Sequence, residues 1–345
     1  MGQQTPPILT ETTVSNAALA EQAAKCLEEN SAEPLSDPAE ARQEFEQHLL
    51  YLAEAVQAKE RSLFTDYIEW LQQQAGSNAG YLKAQLHCVR GVLEGYASPE
   101  QAETIAAYLT TAASCVDNAC DGPVSFIPEQ GPLVDEARAY LDAVLGGRRH
   151  EALDQIRGLA ESGTPVKSIY LDIFQKVQYE IGRLWQLNKI SVAQEHFCTA
   201  VTQMAIAQLY PYIFATKRVG KTLVSACVGG ELHELGPRMV ADFFEMAGWD
   251  TYYLGANTPN ESVLHAVVDQ RADVVGISVT MTYYVHKARE LIEYLRAELG
   301  DGVRILVGGY PFVVSPGLYK EIGADASAQD AEEAVRVATR LVQAE

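Results

Sequence analysis

After Lys217 the chain alternates between short runs of β-branched and aliphatic residues and stretches with helical character, and this alternation leaves few folds open. The runs are Thr222–Cys227, Thr251–Leu254, Val274–Val279 and Arg304–Val307, with helical segments beginning near Gly236, Asn260, Tyr284 and Phe312. Strands that alternate with helices form a parallel sheet joined by right-handed crossovers. A weaker fifth run near Ala324–Ser327 and a helix over 330–343 complete the pattern. Residues 217–345 are therefore expected to form a flavodoxin-like, doubly wound (Rossmann-like) domain.

Upstream the apolar period is helical. Segments 133–146, 149–162, 166–187 and 191–215 are separated by Gly146-Gly147, by Ser162-Gly163-Thr164-Pro165 and by Asn188. Connections this short make neighbouring helices antiparallel, so 133–216 reads as a four-helix bundle. A Pro- and Gly-bearing linker, 121–132, precedes it. Within 38–120, Phe45, Leu49, Leu52, Ala53 and Val56 recur at steps of three and four, as do Leu63, Tyr67, Trp70 and Leu71. Breaks at Gly76–Gly80 and Ser98-Pro99 divide this all-α domain into about four helices. Residues 1–37 are polar and carry Pro6, Pro7 and Pro34, and they read as a flexible tail. The fold class expected is α/β plus all-α.

Charge narrows the function. The net charge is −20, and residues 1–132 hold 6 Lys and Arg against 19 Asp and Glu, a net −13. Binding to DNA depends on cations that displace counterions, so no direct DNA binding is expected. No apolar run approaches the roughly 20 residues of a membrane span, and no basic-then-apolar leader opens the chain. A cytoplasmic protein is expected. The six cysteines, Cys26, Cys88, Cys115, Cys120, Cys198 and Cys227, lack zinc-type pairing and read as free thiols of a reducing compartment.

Two motifs carry chemistry. The loop Val228-Gly229-Gly230-Glu231-Leu232-His233-Glu234-Leu235-Gly236 follows the first strand, at the sheet end where such folds bind ligands. Gly229 and Gly230 admit a ligand close to the backbone. His233 can present one ring nitrogen outward while Glu231 accepts a hydrogen bond from the other, which fixes the tautomer and raises ligand basicity. In the bundle, Trp185 ends one helix and Glu195-His196 opens the next. The two motifs together suggest a large planar cofactor, ligated from one side and capped from the other.

The loop resembles the His-on signature of cobalamin-binding domains, Asp-x-His-x-x-Gly, with Glu231 at the first position, a variant familiar in light-sensing members. Ser278 and Thr280 after the third strand, and Gly308, Gly309 and Tyr310 after the fourth, extend the resemblance to the slot for the dimethylbenzimidazole tail. The spacing Trp-x9-Glu-His is similar to that of the cobalamin photoreceptors, typified by light-released repressors of carotenoid synthesis. The resemblance covers about 133–342. It implies His233 as the cobalt ligand and Glu231 as its hydrogen-bond partner. Gly230, Leu235, Gly236, Ser278, Thr280, Gly308, Gly309 and Tyr310 would line the cofactor, with Trp185, Glu195 and His196 over its upper face. The implied cofactor is adenosylcobalamin. Two departures stand out. Gln186 replaces the histidine that ligates cobalt after illumination, leaving His196 or water as candidates. An acidic helical domain replaces the repressors' DNA-binding head.

A separate acidic helical domain on this core looks most like the photocobilins, which pair cobalamin with a bilin such as biliverdin. His87-Cys88 could supply a bilin contact or thioether, and Tyr283-Tyr284 with His286 an aromatic wall. The leading expectation is thus a non-enzymatic photoreceptor. Light would cleave the cobalt–carbon bond and alter self-association of a homo-oligomer or binding to an unknown downstream partner. The alternative is a corrinoid carrier that holds methylcobalamin for a methyltransferase, which leaves the Trp-x9-Glu-His spacing unexplained. A mutase subunit would need a barrel of roughly 250 residues, and none fits. A light-inert cobalamin scaffold is the remaining alternative.

Overall fold

The computed structural model describes residues 14–30, 37–74, 78–117, 124–214 and 216–343. Two compact units emerge. One holds the described residues up to 120 together with 279–290 and 310–323, and the other holds those of 121–278, 291–309 and 324–345.

In the first unit, five helices bury apolar stripes against one another: α1 (Asn16–Asn30), α2 (Pro38–Gln57), α3 (Arg61–Gln72), α4 (Ala79–Glu94) and α5 (Pro99–Asp117). α2 starts where Asp37 accepts hydrogen bonds from the Ala39 and Glu40 amides, with Pro38 in the first helical position. Phe45, Leu49, Leu52, Phe64 and Ile68 form its buried centre. Residues 14–30 correct the flexible-tail expectation. α1 buries Leu19, Ala20, Ala23 and Leu27, a stripe hidden at sequence level by the polar residues between them. The free-thiol expectation is corrected too, because Cys26 of α1 and Cys88 of α4 are disulfide-bonded. Cys198 and Cys227 are buried free thiols, and Cys120 lies outside the described residues.

The second unit begins with the bundle. Its helices are α6 (Val134–Leu145), α7 (Arg149–Glu161), a third helix of three parts, and α10 (Val192–Ile213). The third runs from α8 (Val166–Ser168) through a π-helical stretch, Ile169–Gln175, into α9 (Lys176–Gln186). Tyr140, Ile156, Tyr170, Phe174, Cys198, Val201 and Leu209 fill the centre. Asn188, at φ 53°, takes the left-handed turn that follows α9. Ser191 and Gln194 then form a reciprocal capping box that starts α10.

Five parallel strands follow: β1 (Thr222–Cys227), β2 (Asp250–Tyr253), β3 (Val274–Ser278), β4 (Arg304–Gly308) and β5 (Ala326–Ala328). Their order is β2-β1-β3-β4-β5, with Cys227 beside Ser278 and Ser278 beside Gly308. The order reverses between β1 and β3, and ligands of such sheets bind beyond the strand ends at that reversal. α11 (Leu235–Met246), α12 (Asn260–Gln270), α13 (Val285–Leu299) and a last helix, Ala331–Gln343, complete the crossovers. Among the described residues no helix is long and apolar enough to cross a membrane.

The bundle core continues into the sheet domain through Met239 and Phe243 of α11. Inside this junction the Tyr170 hydroxyl donates to Asp242 Oδ2 at 2.8 Å. Burial pushes the Asp242 carboxyl up to about 6, against the pull of the Tyr170 hydrogen bond and Arg238. The folded chain therefore holds this proton more tightly than the unfolded chain. Stability should be highest below the ordinary carboxylate range, fall as pH rises towards about 6, and level off above it. The loss from this group is at most about 3 kcal/mol. Denaturant titrations at pH 4.5 and 7.5 should show Asp242→Asn removing most of that difference, and an unaltered pH slope would contradict the assignment.

Candidate functional site

The site is built on the β1–α11 loop, at the reversal of strand order. The loop is pinned at both ends and in its middle. The Val228 amide donates to Ser278 O at 3.3 Å, the Glu231 amide to Val228 O at 3.0 Å, and the Asn257 amide to Glu231 O at 2.9 Å. Gly230, at φ 90°, receives Asn257 Oδ1 on its amide at 2.7 Å; a side chain would be strained in that conformation. A Cβ on Gly229 would meet nothing within 4 Å, so the backbone there faces open space.

Glu231 is fully buried, and its Oε1 accepts twice from His233: from the amide at 3.1 Å and from ring Nδ1 at 2.5 Å. The ring itself is more than half exposed, at 57%. With Nδ1 engaged, the lone pair on Nε2 faces outward in the neutral tautomer. The Glu231 hydrogen bond raises the His233 pKa, burial opposes it, and the charges of Glu231 and then Glu195 add to the rise. Among the described residues no group of three or more His, Cys, Asp or Glu could hold a metal ion. A metal at His233 would need its other ligands from a macrocycle or solvent.

Glu195 thus lies within electrostatic reach of His233, which brings the bundle motif and the loop motif together. Its Oε1 lies 2.9 Å from the Thr199 hydroxyl, and its Oε2 lies 3.5 Å from His196 Nε2. His196 is exposed. Trp185, in the last turn of α9, is 45% exposed, unlike the buried rings of the bundle core. Leu232, beside His233, is 72% exposed. An exposed leucine beside an outward imidazole suits an apolar, planar group with a coordinating metal at its centre.

On the tail side, Ser278 and Gly308 are half-buried neighbours at the ends of β3 and β4, and Gly309 sits at φ 111°, where glycine is required. Leu235 packs its side chain against the bundle core and Gly236 is exposed in the first turn of α11. Thr280 and Tyr310 belong to the first unit, where the Tyr310 hydroxyl donates to Asp66 Oδ1 at 2.8 Å. Sequence reasoning missed Glu234, Gln203 and Thr199. For Gln203 and Thr199, both on α10, the signal was faint, since polar residues on a bundle helix are ordinarily solvent-facing.

The residues proposed for a bilin are otherwise engaged. Cys88 is bonded to Cys26, so it has no thiol for a thioether. His286 is buried and its Nδ1 lies 2.9 Å from Glu54 Oε2. Tyr283 packs edge-on against Tyr51, which stacks on Tyr67 with ring centroids 3.7 Å apart. These side chains are the internal packing of the first unit, which corrects the expectation of a pigment wall there.

Comparison with known proteins agrees with the geometry. Residues 221–338 match one family model, and 136–210 a second, both described as B12 binding domain. Dimethylamine corrinoid protein 3 of Methanosarcina mazei is 30% identical over 167 residues, spanning 48% of this chain and 96% of its own. Dimethylamine corrinoid protein 2 of Methanosarcina acetivorans is 31% identical over 206 residues, spanning 58% and 93%. The solved monomethylamine corrinoid protein of Methanosarcina barkeri shares the fold. It aligns with a TM-score of 0.53 and 24% identity over 59% of this chain and 96% of that one. These relatives carry the names of corrinoid proteins and not of enzymes, in line with the non-enzymatic reading. The same names overturn the photoreceptor expectation, because these relatives are named dimethylamine corrinoid proteins and not light sensors. This chain belongs to the corrinoid-protein family and is a cobalamin-binding protein.

Proposed function

We propose that the chain is a corrinoid carrier that presents a methyl group to a separate methyltransferase partner. The observation that carries this reading is the match to dimethylamine corrinoid protein 3, which spans 96% of that protein and 48% of this chain, joined to the outward imidazole of His233 held at Nδ1 by the buried Glu231. A corrinoid bound here would supply a cobalt able to accept and release methyl.

The protein's part is to hold and shield. His233 Nε2 is the proposed lower ligand, and Glu231 keeps the Nδ1 proton in place so that Nε2 is free to coordinate. Gly230 and Gly236 leave the loop open to the ring edge, and Leu235 anchors the loop to the bundle. Ser278, Gly308 and Gly309 are proposed for the nucleotide tail, which needs room beside the backbone more than it needs side chains. Trp185, Glu195 and His196 would shield a bound corrinoid from the bundle side, where an indole would exclude water. A methylated amine is the first donor to test, with its own methyltransferase as the partner.

The test is retention of cofactor forms. Protein reconstituted in the dark with methylcobalamin should keep it through gel filtration and give it up to a thiol acceptor only when a methyltransferase is added. A chain that sheds methylcobalamin yet retains adenosylcobalamin would sink the carrier reading. Within this site, Glu231→Gln should lower corrinoid affinity about tenfold, as expected for loss of a charged partner behind a metal-bound imidazole. Absorption titration with hydroxocobalamin checks this, and wild-type affinity would remove Glu231 from the assignment.

A further inference from the structure

We infer that a polar stripe on α11 sets the register of the helical bundle over the corrinoid site; this rests on the carrier reading of that site. Glu234, Arg238 and Asp242 stand at steps of four, so they line one face of α11 from the residue after His233 downward. Each meets a side chain of the bundle. Gln203 Nε2 donates to Glu234 Oε1 at 3.0 Å, and Arg238 Nε and Nη2 donate to the Tyr210 hydroxyl at 3.3 and 3.0 Å. The Tyr170 hydroxyl donates to Asp242 at 2.8 Å. Gln203 and Tyr210 are seven residues apart on α10, two turns along the same face.

The rest of this junction is apolar, through Leu235, Met239 and Phe243. Apolar faces slide past one another at small cost because the hydrophobic effect is non-directional. Hydrogen bonds to charged groups do not slide. A slip of the bundle would strand the buried Asp242 carboxyl and release Arg238, and unmade buried polar contacts are what such a junction cannot tolerate. The stripe therefore specifies one alignment among several that packing alone would permit.

That alignment matters at the site because the same two helices carry it. α11 starts at Leu235, two residues after His233, and its N-cap residue Glu234 is held by the Tyr253 hydroxyl, which donates to the Glu234 carbonyl at 2.7 Å. α10 starts with Glu195 and His196 in its first turns. Fixing α10 along α11 fixes where Glu195 stands relative to His233. Gln203, Tyr170 and Asp242 touch no cofactor in this assignment and act as positioning residues for the cap.

The experiment measures access to the upper face in the full chain reconstituted with hydroxocobalamin, using azide as the incoming ligand and stopped-flow absorption as the readout. The double variant Tyr170→Phe, Gln203→Leu keeps the volume of both side chains and removes two hydrogen bonds. It should take up azide about five- to tenfold faster than wild type. Its hydroxocobalamin affinity and the nitrogen hyperfine signal of its reduced cobalt(II) form should match wild type. Leu209→Ala, a bundle-core truncation that leaves the stripe intact, serves as the comparison for mere loss of stability. Azide uptake at the wild-type rate in the double variant would overturn the inference, and so would an equal acceleration in Leu209→Ala. Wild-type chain that fails to retain hydroxocobalamin would instead refute the carrier reading itself, and the register role with it.

Discussion

A His233→Ala chain is expected to fold normally and to lose its nitrogen ligand to cobalt. The ring is exposed, so truncation gives up little buried area, and the buried Glu231 carboxylate still accepts from the backbone amide at position 233. Stability should stay within about 0.5 kcal/mol, as for a surface change away from the core. Corrinoid binding should not. Losing the proposed protein ligand is expected to weaken hydroxocobalamin affinity about 100-fold, near 2.7 kcal/mol. Paramagnetic resonance of the cobalt(II) form reads the ligand directly, through the hyperfine splitting of a coordinated nitrogen. Wild type should show it, His233→Ala should not, and millimolar imidazole should restore it. A retained nitrogen signal without imidazole would mean that another group ligates cobalt, and His196 would then be the first to examine.

The strands and the bundle were the easiest parts to read from sequence, for a physical reason. Buried parallel strands need near-continuous apolar runs, and β1, β3 and β4 have them, whereas β2, Asp250–Tyr253, is a partly exposed edge strand. The β1–α11 loop was legible through its resemblance to the Asp-x-His-x-x-Gly signature, since a lone histidine in such a loop is ordinarily only a polar loop residue. α1 was harder. Its buried face is made mostly of alanines, whose contribution to a helical stripe is small beside the glutamates and glutamines between them. The Cys26–Cys88 bond was invisible, because the partners are 62 residues apart and only the docking of α1 on α4 brings them together. The same limit applies to function. The Trp-x9-Glu-His spacing, read as a cap over a corrinoid, does not by itself name the group that such a cap would shield. The relatives, and not the spacing, favour the carrier reading.

Phe243→Ala should be among the most damaging single substitutions in the second unit. The ring is fully buried, meets Tyr170 edge-on at 6.0 Å, and lies beneath the Lys167 ammonium at 5.5 Å. It projects from α11 into the bundle core, so its removal empties space where two substructures meet and neither can collapse to fill it alone. Phenylalanine-to-alanine changes at such sites cost about 3–5 kcal/mol, the sum of lost transfer energy and an unfilled cavity. Denaturant unfolding should show a midpoint lowered accordingly. Because Tyr170 also holds Asp242, the cavity frees a side chain of the polar stripe as well, and azide uptake at the bound corrinoid should rise in parallel with the lost stability. Phe243→Leu, which keeps most of the volume, should recover more than half of both effects. A Phe243→Ala chain that unfolds at the wild-type midpoint would show that bundle and sheet domain are held together elsewhere.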